Sequence, residues 1–94
     1  MKENDVINKI QETAELLYQN HEQEGIAAVA ELLVLFQSML QNLTQEQTDS
    51  CGKFALLMLK ELVEAYQHQD VLGMADCLME KSVIFVQFVY QEKY

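Results

Sequence analysis

Apolar residues recur along this chain at the three- and four-residue spacing of α-helices, in four blocks separated by short polar stretches. The blocks predict four helices, over about residues 5–22, 26–42, 45–68 and 70–91. Connections of two or three residues favour antiparallel neighbours. We therefore expect a single all-α domain over residues 1–94, a four-helix bundle running up, down, up and down and built from two helical hairpins. The alternative is a pair of long hairpins whose core closes only on dimerisation.

Capping residues support these boundaries. Thr44, followed three residues later by Gln47, is typical of a capping box at the start of the third helix. Asp70 is a suitable N-cap for the fourth helix and Asn4 for the first. We expect Gly25 to take the left-handed conformation that ends a helix, between the first and second helices.

The chain also contains a hint of an internal repeat. Ile26–Val34 and Val71–Met79 share a pattern of small, large and acidic positions, and each follows a Tyr-Gln pair. The pattern predicts a duplicated hairpin. Amphipathic helices also match one another by chance, so both origins stay open.

The fourth block is too apolar for one side of a helix. A first apolar stripe contains Val71, Met74, Ala75, Leu78, Ser82, Phe85 and Val89, with Phe88 at its margin. A second lies roughly 115° further round the helix and contains Leu72, Met79, Val83, Val86 and Tyr90. A surface helix normally has one such stripe. We therefore expect the second stripe to contact another chain.

Residues 83–90 allow a second interpretation, because they are rich in the β-branched and aromatic residues that favour strands. A strand needs a pairing partner, and no other segment of the sequence has strand character. An unpaired edge of this composition would also promote aggregation. We therefore predict a helix here.

Charge and composition exclude several classes of function. The chain has a net charge of −9, with 6 lysines, 15 acidic residues and no arginine, so it lacks the basic footprint of a nucleic-acid or anionic-membrane binder. Half of the residues are hydrophobic, which disfavours disorder. The sequence shows neither a signal peptide nor a run of 18 apolar residues. We expect a cytoplasmic protein, with Cys51 and Cys77 reduced.

Motifs for metal binding and catalysis are missing from the sequence. Neither His21 nor His68 follows a glutamate at the spacing that di-iron bundles use. Cys51 and Cys77 are 26 residues apart, without the close partners that zinc sites need. The three glycines are scattered and form no phosphate-binding loop. We expect no metal, no cofactor and no enzymatic activity.

The apolar excess indicates binding instead. Five large side chains on the second stripe would expose about 400–500 Å², the upper end of what monomers tolerate. We predict a non-enzymatic interaction protein, an adaptor or chaperone-like, that forms a homodimer or binds a partner helix. Its binding surface would be Leu72, Met79, Val83, Val86 and Tyr90. The alternative is a bundle that binds a small apolar ligand in a cavity lined by Phe36, Met58 and Phe85.

One short motif resembles a known group. The series Asp70, Ala75, Asp76, Leu78 and Glu80 is similar to a motif in small helical-bundle proteins of Gram-positive bacteria that are associated with motility genes. The chain departs from that motif at Lys81, where a further acidic residue is expected. In its length, acidity and helical character the chain also resembles the chaperones of flagellar and type III export. That resemblance implies binding to helical segments of other proteins and identifies no binding residue here.

Overall fold

The computed structural model describes residues 2–91 of the chain and consists of four helices. Helix α1 spans Glu3–Tyr18, α2 spans Glu22–Gln41 and α3 spans Gln45–Gln67. The fourth helix, α4, has three parts: the α-helical segment Val71–Cys77, the π-helical turn Leu78–Ser82 and the α-helical segment Val83–Gln91. The predicted all-α four-helix bundle is confirmed, and the alternative strand over residues 83–90 is wrong.

The helices pack as a ring around one core. Both α1 and α3 lie between α2 and α4, and α2 also approaches the first segment of α4 across the centre. The bundle measures 38 × 24 × 19 Å. At its centre the rings of Phe36 and Phe85 pack edge to face, with centroids 6.1 Å apart. Aliphatic residues from all four helices surround this pair, including Ile10, Leu32, Leu62 and Leu78.

Two of the predicted caps are confirmed. Thr44 and Gln47 form a complete capping box at the start of α3, and the Asp70 carboxylate accepts a hydrogen bond from the Gly73 N–H at the start of α4. The first helix differs from its prediction, since α1 begins two residues earlier than expected and its N-cap is Lys2 rather than Asn4.

The predicted role of Gly25 is wrong. Helix α1 ends at Tyr18, and the left-handed residue that follows is Asn20, with φ of 66°. Gln69, with φ of 52°, occupies the same place after α3. In both turns the next N–H reaches back five residues: His21 to the Leu16 carbonyl at 2.9 Å, and Asp70 to the Ala65 carbonyl at 2.8 Å. This is the Schellman arrangement, achieved here without glycine.

Gly25 lies instead inside the first turns of α2, buried against α1. A Cβ atom at this position would lie 2.7 Å from Leu17 Cδ2 and 2.9 Å from Leu17 Cγ. Leu17 is itself a core residue, 1% exposed. Gly25 is therefore needed for the close approach of α1 and α2 rather than for a turn.

The two turns also test the proposed repeat. They make Asn20 equivalent to Gln69, an offset of 49 residues (69 − 20), whereas the matched blocks Ile26–Val34 and Val71–Met79 are offset by 45 (71 − 26). The difference of four residues is about one helical turn. The apolar pattern therefore agrees between the blocks, although they do not occupy equivalent positions after their turns.

Candidate interaction site

The π-helical turn shifts the buried side of α4 toward Val86, while Phe85 and Val89 of the predicted core stripe stay buried. A π turn holds more residues than an α turn, so every residue after Ser82 is set back around the axis relative to an ideal helix. Val86 is thereby moved into the core and is 0% exposed. Phe88, which the ideal helix placed beside the core stripe, is only partly buried. The prediction of Val86 as a surface residue is therefore wrong.

The other four predicted surface residues fall into two groups. Leu72 and Met79 are 61% and 40% exposed. Val83 and Tyr90 are partly buried and pack against the core. The exposed part of the predicted stripe thus lies in the first half of α4 and ends at the π turn.

A residue of α1 extends this exposed part. The Tyr18 hydroxyl donates a 2.7 Å hydrogen bond to Oδ1 of Asp76 and joins the end of α1 to α4. Asp76 is four residues after Leu72 and three before Met79, so these three side chains share one face of α4. Tyr18 is 48% exposed. We call Tyr18, Leu72, Asp76 and Met79 the seam surface, because it follows the line between α1 and α4.

Sequence reasoning missed Tyr18. Its position four residues after Ala14 was visible as the next step of the α1 pattern. Its place on the surface depends on the bond to Asp76, which lies 58 residues away in the chain.

The seam surface is acidic. The hydrogen bond to Asp76 is the main reason why the pKa of Tyr18 is raised, and the charges of Asp76 and Glu80 act in the same direction. Tyr18 therefore stays protonated at neutral pH and donates to the carboxylate. Glu15, an exposed residue three positions before Tyr18 on α1, adds a third carboxylate on this side.

A second exposed apolar surface lies on α3. Leu56 and Leu57 are 58% and 60% exposed. They occupy the side of α3 away from its buried residues, which are Gln47, Cys51, Gly52, Ala55, Met58 and Leu62. Lys53 and Lys60, both exposed, flank them by one turn on either side. We call Lys53, Leu56, Leu57 and Lys60 the α3 outer face.

The lysines of the α3 outer face differ from Lys9 and Lys81. Lys9 forms an ion pair with Glu31, and Lys81 forms one with Glu61. Lys53 and Lys60 make no ion pair within residues 2–91. Both ammonium groups can therefore reach an external partner, although the exposed acids Asp49 and Glu64 lie on the same helix face, one turn beyond them.

An acidic cleft lies between the end of α3 and the start of α4. It has a volume of about 360 Å³ and is lined by side chains including Glu61, Glu64, His68 and Cys77. Burial, and then the charge of Glu61, raises the pKa of the Cys77 thiol to about 11. The thiol is thus neutral and unreactive at neutral pH. Within residues 2–91 no group of three or more histidine, cysteine or acidic residues is arranged to hold a metal.

By length and composition alone, helix α2 is long and apolar enough to cross a membrane. The sequence did not predict this, because it contains no uninterrupted run of 18 apolar residues. Core helices of soluble proteins meet the same criterion. Here α2 contributes Val29, Leu32 and Phe36 to the core of the bundle.

The residues expected to line an apolar ligand cavity are packed against their neighbours. Phe36, Met58 and Phe85 are at most 1% exposed and belong to one continuous core. The rings of Phe36 on α2 and Phe85 on α4 are in direct edge-to-face contact. The seam surface and the α3 outer face are therefore the stronger candidates for binding.

Comparison with known proteins gives no assignment: no family model, curated protein or solved structure matches this chain. The candidate site is therefore identified from geometry and charge.

Proposed function

We propose that this chain is a non-enzymatic interaction protein that binds an amphipathic helix of another protein along the seam surface. One observation carries the proposal: Tyr18, Leu72 and Met79 remain exposed on one side of a bundle whose core is already filled. A protein of this kind acts in the cytoplasm as an adaptor or a helix-binding chaperone.

The seam surface has the dimensions of a helix-binding site. Leu72 and Met79 are seven residues apart, or about 10 Å along the helix axis. A partner helix that presents apolar side chains at positions i, i+3, i+4 and i+7 covers the same length. Met79 suits such a site, because its unbranched side chain adapts to different partners.

Charge indicates which kind of helix fits. Glu15, Asp76 and Glu80 border the apolar side chains of the seam surface. A partner helix with lysine or arginine beside its apolar stripe would pair with these carboxylates. Two seam surfaces placed against each other would instead bring like charges together. The seam surface therefore favours a basic helix over a second copy of itself.

The test uses two synthetic helical peptides that share a leucine stripe and carry lysine or glutamate at all other positions. We expect the lysine peptide to bind in a fluorescence anisotropy titration, and the amide shifts of the isotope-labelled protein to change around Tyr18, Leu72 and Met79. The double variant Leu72→Gln, Met79→Gln should weaken binding at least about tenfold, since two apolar anchors are lost.

Val34→Gln is the matched control, because Val34 is 67% exposed and lies on α2, away from the seam surface. It should bind the peptide as the original protein does. Equal binding by the seam variant, or shift changes confined to other helices, would rule out the proposed site.

A further inference from the structure

The two exposed surfaces of this chain are complementary in charge. The seam surface combines apolar side chains with acids, and the α3 outer face combines Leu56 and Leu57 with two lysines. We infer that copies of the chain associate head to tail, with the α3 outer face of one copy bound to the seam surface of the next. The inference rests on the proposed function, since it uses the same helix-binding site and names its occupant.

The α3 outer face has the spacing of a helix that binds in a groove. Lys53, Leu56, Leu57 and Lys60 stand at positions i, i+3, i+4 and i+7, the anchor spacing of helix-in-groove recognition. From Lys53 to Lys60 the helix rises about 10 Å. This equals the rise from Leu72 to Met79, so the two surfaces match in length.

The available charges fit the same pairing. Lys53 and Lys60 have no carboxylate partner within residues 2–91, and their flexible ammonium groups can reach acids beside the partner's groove. Glu15, Asp76 and Glu80 supply those acids on the seam side. Because the chain carries a net charge of −9, two copies approach favourably only where a basic surface meets an acidic one.

Symmetric pairing of the α3 outer face with itself is disfavoured. A two-fold axis between Leu56 and Leu57 of antiparallel helices would set Lys53 opposite Lys60 of the other copy. A parallel pair would set each lysine opposite its own equivalent. Both arrangements place lysines of two copies opposite each other beside an apolar contact, and this like-charge contact costs binding free energy.

Head-to-tail contact is heterologous, because the two surfaces involved are different. The seam surface lies between α1 and α4, whereas α3 lies on the far side of the ring from α1. An open assembly therefore keeps one unoccupied seam surface at one end and one unoccupied α3 outer face at the other. Growth continues with concentration unless the geometry closes a ring.

Light scattering after size exclusion, over a hundredfold concentration range, tests the inference. The chain has a mass of 10.9 kDa, and we expect the measured mass to rise above this value with concentration. The variant Lys53→Glu, Lys60→Glu removes the basic surface and should remain a monomer. The variant Leu72→Gln, Met79→Gln removes the seam anchors and should also remain a monomer.

An equimolar mixture of the two monomeric variants gives the decisive result. Each retains the surface that the other has lost, so one contact forms and then stops, and the mass should settle near that of two chains. Val34→Gln should assemble as the original protein does. Raising the salt concentration from about 0.05 to about 0.5 M should weaken assembly roughly tenfold, as expected for ion pairs at a surface.

The inference would be overturned if the original protein stayed monomeric over the whole concentration range. It would also be overturned if either variant dimerised alone, or if the mixture of the two variants stayed monomeric. Failure here is separable from failure of the proposed function. A monomer that still binds the lysine peptide at the seam surface would keep the proposed function and remove only the second copy as its occupant.

Discussion

The two helical hairpins end in the same kind of turn but are held together by different interactions. In the first hairpin, α1 and α2 approach closely because Gly25 has no side chain where Leu17 packs, and the N-cap residue His21 makes no capping hydrogen bond with its side chain. In the second hairpin, the Asp70 side chain caps α4 at the turn. At the opposite end, Gln47 of α3 donates to the Val89 carbonyl of α4.

Close packing at Gly25 thus stabilises the first hairpin, whereas side-chain hydrogen bonds of Gln47 and Asp70 stabilise the second. We expect the α1–α2 turn to tolerate changes in its polar residues and to be sensitive to added volume at Gly25. The second hairpin is sensitive to the loss of single donors and acceptors, because a buried polar group without a partner costs more than the bond contributes. The same glycine-to-alanine substitution is therefore expected to change the free energy of unfolding in opposite directions at Gly25 in the first hairpin and at Gly52 in the second.

The largest expected effect is for Gln47→Glu. The Gln47 side chain is buried; it accepts from the Thr44 N–H and donates to the Val89 carbonyl, both at 3.0 Å. Glutamate keeps the acceptor, loses the donor and places a buried charge beside a carbonyl oxygen. We expect the free energy of unfolding to fall by about 2–3 kcal/mol in urea titrations at pH 7.

The exposed substitution Gln37→Glu is its control and should change stability little. Since protonation restores the donor of the glutamate, the deficit of Gln47→Glu should shrink as the pH falls toward 4. A deficit that is the same at both pH values would show that the Val89 bond is not its cause.

The next effect tests the first hairpin. Gly25→Ala should lower the free energy of unfolding by about 1–2 kcal/mol, because crowding against Leu17 exceeds the gain of about 1 kcal/mol in helix propensity. Gly52→Ala is the matched control. A Cβ there would meet Thr48 Cγ2 at 3.4 Å, an ordinary contact, so this variant should gain about 0.5–1 kcal/mol. The midpoints of thermal unfolding of both variants show whether the Leu17 side chain can move far enough to accommodate the added methyl group.

Asp70→Ala should cost about 1 kcal/mol, the usual effect of removing an N-cap. The expected measurement is a lower urea midpoint with an unchanged slope, together with faster amide hydrogen exchange in Val71–Cys77. Unchanged exchange in this segment would show that packing alone holds the start of α4.

The smallest effect is a gain in the first hairpin. His21→Asp supplies the side-chain acceptor that α2 lacks and places a negative charge at its N-terminus, which should stabilise the protein by about 0.5 kcal/mol. Glu22 and Glu24 lie nearby and limit the gain. His21→Ala should bring no gain, and an equal gain from alanine would remove capping as the explanation.

The same contrast explains how far the sequence predicted the fold. The starts of α3 and α4 were predicted correctly because Thr44, Gln47 and Asp70 are side-chain signals that act within one turn. The end of α1 and the start of α2 were misplaced, because the rule that puts glycine in the left-handed position favoured Gly25 over Asn20. Close packing against Leu17 gives no local signal in a sequence.

The candidate site divides in a similar way. Leu72 and Met79 precede or begin the irregular part of α4, so helical periodicity placed them correctly on the surface. Val86 follows the irregular part, and there the ideal helical period wrongly predicted a surface residue, although it placed Phe85 and Val89 correctly in the core. Tyr18 required a contact between α1 and α4 that no spacing reveals. The orientation of residues after an irregular turn depends on tertiary packing.

The π-helical turn Leu78–Ser82 has a genetic consequence. Deleting one codon within it would shorten the chain by a single residue and restore an uninterrupted α-helix. The π turn already sets the later residues back by about the 100° that one residue contributes, so Val83–Gln91 would keep their orientation and Val86 would stay in the core. A one-residue insertion or deletion at this turn is thus absorbed by the helix without changing which residues of its second half the bundle exposes.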